Sequence, residues 1–281
     1  MSKLNTVIIS DYIKKIKEEN KLSAMTIKTY QNIADNISFN IMATQPTIIK
    51  KLKALYTNPN TLQLYLNLII LVRKEHTESI DKLIKFRKSL KDEITIERKK
   101  NLTELDDTLP TYDKLNGDLD RLVGIMYVVN YLMVRLGFRN KDINLKNVKK
   151  IPSEKTENYI MVKPNKITLS INDYKTDKTN GEKIIEITDP RFISELKKMR
   201  LNDNEYMLGK KDGSKISNIS TFNDKIIKYT IGHLGQTRII KIVVKQLLKD
   251  NDFKRLEELS RTRGTSIAVL LKSYNLLNTT I

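Results

Sequence analysis

Cysteine and tryptophan are absent from the 281 residues, histidine occurs twice, and glycine and proline number only nine and six. Without cysteine there are no disulfides, no zinc–thiolate sites and no thiol catalysis. The two histidines, His76 and His233, lie far apart in the chain, so a histidine-built metal centre or a Ser-His-Asp hydrolase is hard to assemble. Neither a metal nor a cofactor is expected, and any chemistry has to run on tyrosine, lysine, arginine and carboxylates. No apolar run is long enough to cross a bilayer, and no amphipathic basic N-terminus carries large apolar residues, so a membrane is not an expected partner. The opening "MSKLNTVIIS" lacks the apolar stretch and small-residue cleavage site of a signal peptide, which points to a cytoplasmic or nuclear location.

What is present in excess is positive charge. Lysine and arginine total 51 against 33 aspartates and glutamates, a formal net charge of +18. Such an imbalance suits a polyanionic partner, most often nucleic acid, because each neutralised phosphate releases condensed counterions. The length exceeds one comfortable core and suits two domains.

With few helix breakers and apolar residues spaced by three and four, the chain reads as mainly helical. A first helix carries Val7, Ile8, Tyr12, Ile13 and Ile16. A second, with Ser23 as candidate N-cap, aligns Ile27, Tyr30, Ile33 and Ile37. A third starts at Pro46 and buries Ile48, Ile49, Leu52 and Leu55, and a fourth follows "NPN" with Leu62, Leu66, Ile69 and Ile70. These make a helical N-terminal domain over 1–92. Charge then dominates up to "ERKKNLTELDDTLP", a charged helix passing into an exposed linker over 93–110. The second domain, 111–281, opens with one long helix through Leu115, Leu119, Leu122, Met126, Val129 and Met133 that stops near Gly137. The period then changes to two. Tyr159–Val162, Ile167–Ile171 and Lys183–Ile187 read as a small antiparallel sheet, with Asn180-Gly181 in the last turn. Helices resume at Asp189-Pro190, at a Ser220 or Thr221 cap, and through "TRIIKIVVKQLLK" and "DFKRLEELSRTRG", where Gly264 ends the helix before a short one bearing Tyr274.

Five residues stand out in this second domain. Arg139, in "RLGFRNKDINL", sits just past the helix-ending glycine, and Arg238, in "LGQTRIIKIVV", opens an apolar helix whose N-terminal amides also favour an anion. Lys175 and Lys178 sit beside a hairpin turn, and Tyr274 ends "RGTSIAVLLKSY". In this order they resemble the tyrosine recombinases, the phage-type integrases, and the related type IB topoisomerases. "KLSAMTIKTYQNIADNI" is similar to a helix of that family's core-binding domain, "LPTYDKLNGDL" to its interdomain junction, and "GFRNKDINL" to its Gly-x-Arg-x-x-Glu-Leu box, with Asp142 and Ile143 replacing Glu and Leu. "YKTDKTNGEKIIEI" resembles its mobile β-hairpin, "YMLGKKDGSKISNISTF" its Gly-Lys turn and following helix start, and "RGTSIAVLLKSY" the box that precedes its nucleophile.

The resemblance implies a helical core-binding domain followed by an α+β catalytic domain, closed on double-stranded DNA, that breaks and rejoins strands through a 3′-phosphotyrosyl intermediate without metal. Tyr274 would be the nucleophile, Arg139 and Arg238 the phosphate ligands, and Lys175 the general acid, with Lys178 as its alternate. The chain departs from the family three residues before Arg238, at Gly235, and nine before Tyr274, at Thr265. His233 and Thr265 are the candidates to assist in their place. The implied roles are site-specific DNA recombination or integration by a dimer or tetramer on DNA, of viral or mobile-element origin. The alternatives are a topoisomerase, or a relative that binds DNA with little or no cleavage.

Overall fold

The computed structural model describes residues 2–19, 24–106, 108–174 and 181–274. The side chains of 2–6, 24, 98–99, 102–106 and 272–274 lie outside this description. The chain forms two compact units, residues 1–104 and 105–281, and the fold is mainly helical with one small sheet.

The first unit contains α1 (Ser2–Glu18), α2 (Ala24–Asn36), α3 (Gln45–Leu55), α4 (Pro59–Glu75) and the start of α5 (Asp81–Asp106). Its core joins Ile9, Ile13 and Ile16 of α1 to Tyr30, Ile33, Ile48, Leu52, Leu66, Ile69 and Leu83. The apolar spacing foretold this face, although Val7 and Leu55 are exposed. Ser23, the expected cap of α2, lies outside the described residues. Asn58 caps α4 by accepting from the amides of Asn60 and Thr61 at 2.9 and 3.2 Å. The start of α5 is capped from a distance: Gln45 Oε1 accepts from the amides of Lys82 and Leu83 at 2.7 and 3.2 Å. Residues 93–106, read from sequence as linker, continue α5 as helix. Apolar positions along α5 are sparse, with Leu83, Leu90 and Ile94 forming a narrow buried stripe among the described residues.

Arg73 is 3% exposed at the end of α4, and it organises the loops around it. Its Nη1 donates to the carbonyls of Ile41 and Ala43 at 3.0 and 2.9 Å, its Nε to that of Ser79 at 3.2 Å, and its Nη2 pairs with Glu78 at 3.1 Å. A guanidinium has donors enough to satisfy carbonyls that would otherwise be buried without partners.

The second unit opens with α6 (Tyr112–Leu119) and α7 (Gly124–Val134). The single helix expected here is two. The helix breaks over residues 120–123, where Val123 is extended, and Gly124 opens α7 at φ +57°, a left-handed conformation that glycine adopts without strain. From Tyr127 to Val134 nearly every side chain of α7 is buried, including Asn130.

The sheet follows. β2 (Asn158–Val162), β3 (Ile167–Ile171) and β4 (Lys183–Ile187) pair antiparallel, as the period-two runs foretold. A further strand, β1 (Leu145–Asn147), pairs parallel with β2, so the sheet is mixed, in the order β1-β2-β3-β4. Three residues are too few for an alternation to be read from sequence. β3 is buried throughout, whereas β4 is an edge strand with Lys183, Ile185 and Ile187 on its more buried face.

The remaining helices are α8 (Pro190–Lys198), α9 (Ile219–Tyr229), α10 (Gln236–Lys249), α11 (Phe253–Arg263) and α12 (Ile267–Tyr274), with a 3₁₀ turn at Ile231–His233. Asp189 caps α8, as expected from Asp-Pro. The cap of α9 is Asn218, whose side chain accepts from the amides of Ser220 and Thr221. Those two were the expected caps and are instead the first-turn donors. Among the described residues no helix is long and apolar enough to cross a membrane.

Candidate functional site

Arg139 follows a left-handed turn at Gly137, where φ is +68°. Two contacts hold it. The buried Asp142 carboxylate accepts from the Arg139 amide at 2.8 Å, and the Arg139 Nη1 donates to the carbonyl of Arg263, at the end of α11. Arg263, itself 3% exposed, returns the contact by donating from Nη1 to the Gly137 carbonyl at 2.5 Å. Two arginines 124 residues apart thus lock the end of α7 to the end of α11. No pattern in the sequence pairs them, although Arg263 stands immediately before the Gly264 helix stop.

The end of α11 is built to receive this charge. Gly264 adopts φ 58°, ψ 51°. Its amide returns to the carbonyl of Arg261, and the Thr265 amide to that of Ser260 at 3.0 Å, the hydrogen-bond pattern of a Schellman turn. The carbonyls of Thr262 and Arg263 lie past the last helical acceptors and carry the negative end of the helix dipole. Arg139 takes the second, and Lys183 of β4 takes the first, donating from Nζ at 3.1 Å.

Lys183 was not among the residues singled out from sequence. The available signal was parity, since a lysine shares the inward face of β4 with Ile185 and Ile187. Its Nζ also stands 3.7 Å from the centre of the Tyr174 ring. Burial pushes its pKa down to about 8; the Asp142 carboxylate opposes that shift and the Arg139 charge adds to it. Asp142 is 2% exposed, and its Oδ1 has no hydrogen-bond partner. Burial raises the pKa of this carboxyl, an effect moderated by the Arg139 amide and by the charges of Arg139, Arg263 and Lys183.

The segment of Arg238 is tied to that of Arg139 through its neighbours. Asn140 donates from its amide to Gln236 Oε1 at 2.8 Å, and from Nδ2 to Asn223 of α9 at 2.8 Å. Arg238 is exposed in the first turn of α10, after Gly235. Buried Asn130 secures the approach to this turn: its Nδ2 donates to the Tyr229 carbonyl at 2.7 Å and its Oδ1 accepts from the Ile231 amide at 2.9 Å. His233 is exposed with φ +53°, and its Nδ1 is 3.3 Å from the Ile227 carbonyl.

Thr265 borders a pocket of about 660 Å3 with Lys183, Ser260, Arg261 and Ser266. Its carbonyl accepts from Ser260 Oγ at 2.5 Å. Tyr274 is the last residue of α12, and its side chain lies outside the described residues, as do Lys175 and Lys178 entirely. The base of their hairpin is described: Tyr174 Oη donates to the Gly181 carbonyl at 2.7 Å. Among the described residues no three carboxylates or histidines gather as metal ligands.

No family model and no curated protein sequence matches the chain. Among solved structures it is similar to a crystal structure of XerA recombinase, at 14% identity and a TM-score of 0.36, over 97% of this chain and 94% of that one. At that degree of overlap the likeness bears on neither the site nor the reaction.

Proposed function

We propose that the chain binds double-stranded DNA and transfers its strands through a 3′-phosphotyrosyl bond, in the manner of tyrosine recombinases. The observation that carries this reading is the interlock of Arg139 with the end of α11. It sets a half-buried guanidinium beside the turn from which the Tyr274 helix begins. The net charge of +18 supplies the attraction for a polyanion.

In this reading Tyr274 Oη attacks the scissile phosphorus, its proton passing to a neighbouring base. The P–O5′ bond breaks, and Lys175, or Lys178 as alternate, gives a proton to the departing 5′-oxygen. Arg139 and Arg238 hold the nonbridging oxygens, where placed donors compensate the charge that develops in the transition state. Religation reverses these steps and needs no external energy, because the bond energy stays in the linkage. His233 and Thr265 stand in for the family's assisting residues. Assembly as a dimer or tetramer on DNA would make the outcome recombination or integration, and action as a monomer would make it supercoil relaxation.

A second reading, a DNA-binding relative that does not cleave, is favoured by two observations. Gly235 and Thr265 occupy the assisting positions, and one arm of Arg139 is engaged with a protein carbonyl.

A nicked suicide duplex separates the two. The wild-type protein should yield a denaturant-resistant protein–DNA adduct, and Tyr274→Phe should yield none while keeping duplex affinity. Absence of adduct from the wild type over a range of duplexes would favour the non-cleaving reading. Adduct formation by Tyr274→Phe would overturn the assignment of the nucleophile.

A further inference from the structure

Lys183 has no role in the reaction proposed above, yet its surroundings are unusual for a lysine on a strand. It occupies the inward face of an edge strand, its ammonium rests on the Tyr174 ring, and it donates to a carbonyl at the C-terminus of a helix 79 residues further on. An inward charge on an edge strand also discourages the addition of further strands, but that purpose would be met without reaching Thr262.

The carbonyl it reaches, that of Thr262, is among the last of α11 before the Gly264 turn, and the next one, that of Arg263, accepts from Arg139. Removal of Lys183 takes a donor from a part-buried acceptor at the negative end of a helix dipole. The next ordered element after that turn is α12, whose first amides are held by Ser266: its carbonyl accepts from Leu270 at 3.0 Å and its Oγ from Val269 at 3.2 Å. Any tilt of the turn is therefore passed to α12, which carries Tyr274 at its other end.

We propose that Lys183 is a positioning residue, which by donating from β4 to the end of α11 holds the Gly264 turn, and the Tyr274 helix beyond it, in register with Arg139. The inference rests on the reading of Tyr274 as nucleophile for its consequence, but the mechanical link stands on the contacts alone. The hold depends on protonation, because a hydrogen bond from an ammonium is about twice as strong as one from a neutral amine. The charged or titratable groups around Lys183 are Asp142 and Arg139 from the turn before β1, Arg261 and Arg263 from α11, Tyr174 three residues past β3, and Glu182 immediately before β4. Glu182 is engaged with Lys155 and Ser170.

Hydrogen exchange on the full chain tests the link independently of any reaction. Lys183→Met should accelerate exchange of the Gly264, Thr265 and Leu270 amides on the order of tenfold relative to those of β2 and β3, the effect of losing one charge-assisted hydrogen bond. Lys183→Arg should restore protection. In the wild type, the same amides should lose protection relative to β2 and β3 as pH rises through about 8, and in Lys183→Arg they should not. If Lys183→Met fails to fold, this comparison of wild type with Lys183→Arg is sufficient. Equal protection in all three proteins, or the same pH response in wild type and Lys183→Arg, would overturn the proposal. Adduct yield on the suicide duplex, measured in parallel, should fall in Lys183→Met and recover in Lys183→Arg. A wild type without adduct would count against the nucleophile reading, with the exchange data still deciding the role of Lys183.

Discussion

Replacement of Gly137 by alanine puts the geometry of the Arg139 turn to a quantitative test. At φ +68° a side-chain-bearing residue is strained, by about 1–2 kcal/mol for an L-residue in the left-handed region. The added Cβ would also lie 2.3 Å from Leu259 Cδ1 and 3.3 Å from Ile240 Cδ1. Both leucine and isoleucine are buried in the same core, at 4% and 1% exposure, so neither can swing into solvent to make room. Overpacking of this kind costs about 1–3 kcal/mol. The expected sum is about 2–5 kcal/mol, which at a urea dependence of about 2 kcal/mol per molar lowers the midpoint of the second unit by about 1–2.5 M. Gly117 provides the internal comparison. It lies within α6, has ordinary helical φ, and an added Cβ meets nothing within 4 Å. Gly117→Ala should therefore be neutral or stabilising by up to about 1 kcal/mol. Urea denaturation of the two variants beside wild type, followed by far-ultraviolet circular dichroism, reads both effects. Equal midpoints for the two variants would refute the argument that the left-handed turn and its close packing place Arg139.

Two further outcomes are expected. Arg73→Met should destabilise the first unit by about 2–4 kcal/mol in urea, because the carbonyls of Ile41 and Ala43 lose their donor inside the protein; a cost under about 0.5 kcal/mol would show that water reaches them. Lys183 should impose a pH dependence on stability whose sign is set by its depressed pKa. Between about 8 and the ordinary 10.5, the unfolded lysine keeps a proton that the folded one has released. The stability of wild type relative to Lys183→Met should accordingly rise with pH through that window and be flat below it. The burial cost of the charge is the larger effect globally, while the contact with Thr262 is the local one, so overall stability rises as that contact loosens. A difference that falls with rising pH would refute the assignment.

The periodic parts of this protein were legible in its sequence. The apolar faces of α1, α3 and α4, the runs that became β2, β3 and β4, the Asp189 cap and the Gly264 stop all follow from local rules, because each depends on residues within a few positions of one another. The interruption before Gly124 was missed because apolar spacing of the same phase continues from Leu119 to Met126 across the break. β1 was missed because its identity as a strand comes only from pairing with β2, and Gln45 as the cap of α5 because the two are 37 residues apart. The candidate site divides in the same way. Arg139, Arg238 and the helix ending at Tyr274 could be named from motif order, while Lys183, Arg263 and the orphaned oxygen of Asp142 could not. A side chain's type and parity say that it carries charge and faces inward, but which carbonyl it reaches is decided by how β4, α7 and α11 pack. The helix C-terminus that Arg139 and Lys183 share exists as a target only once those elements have met.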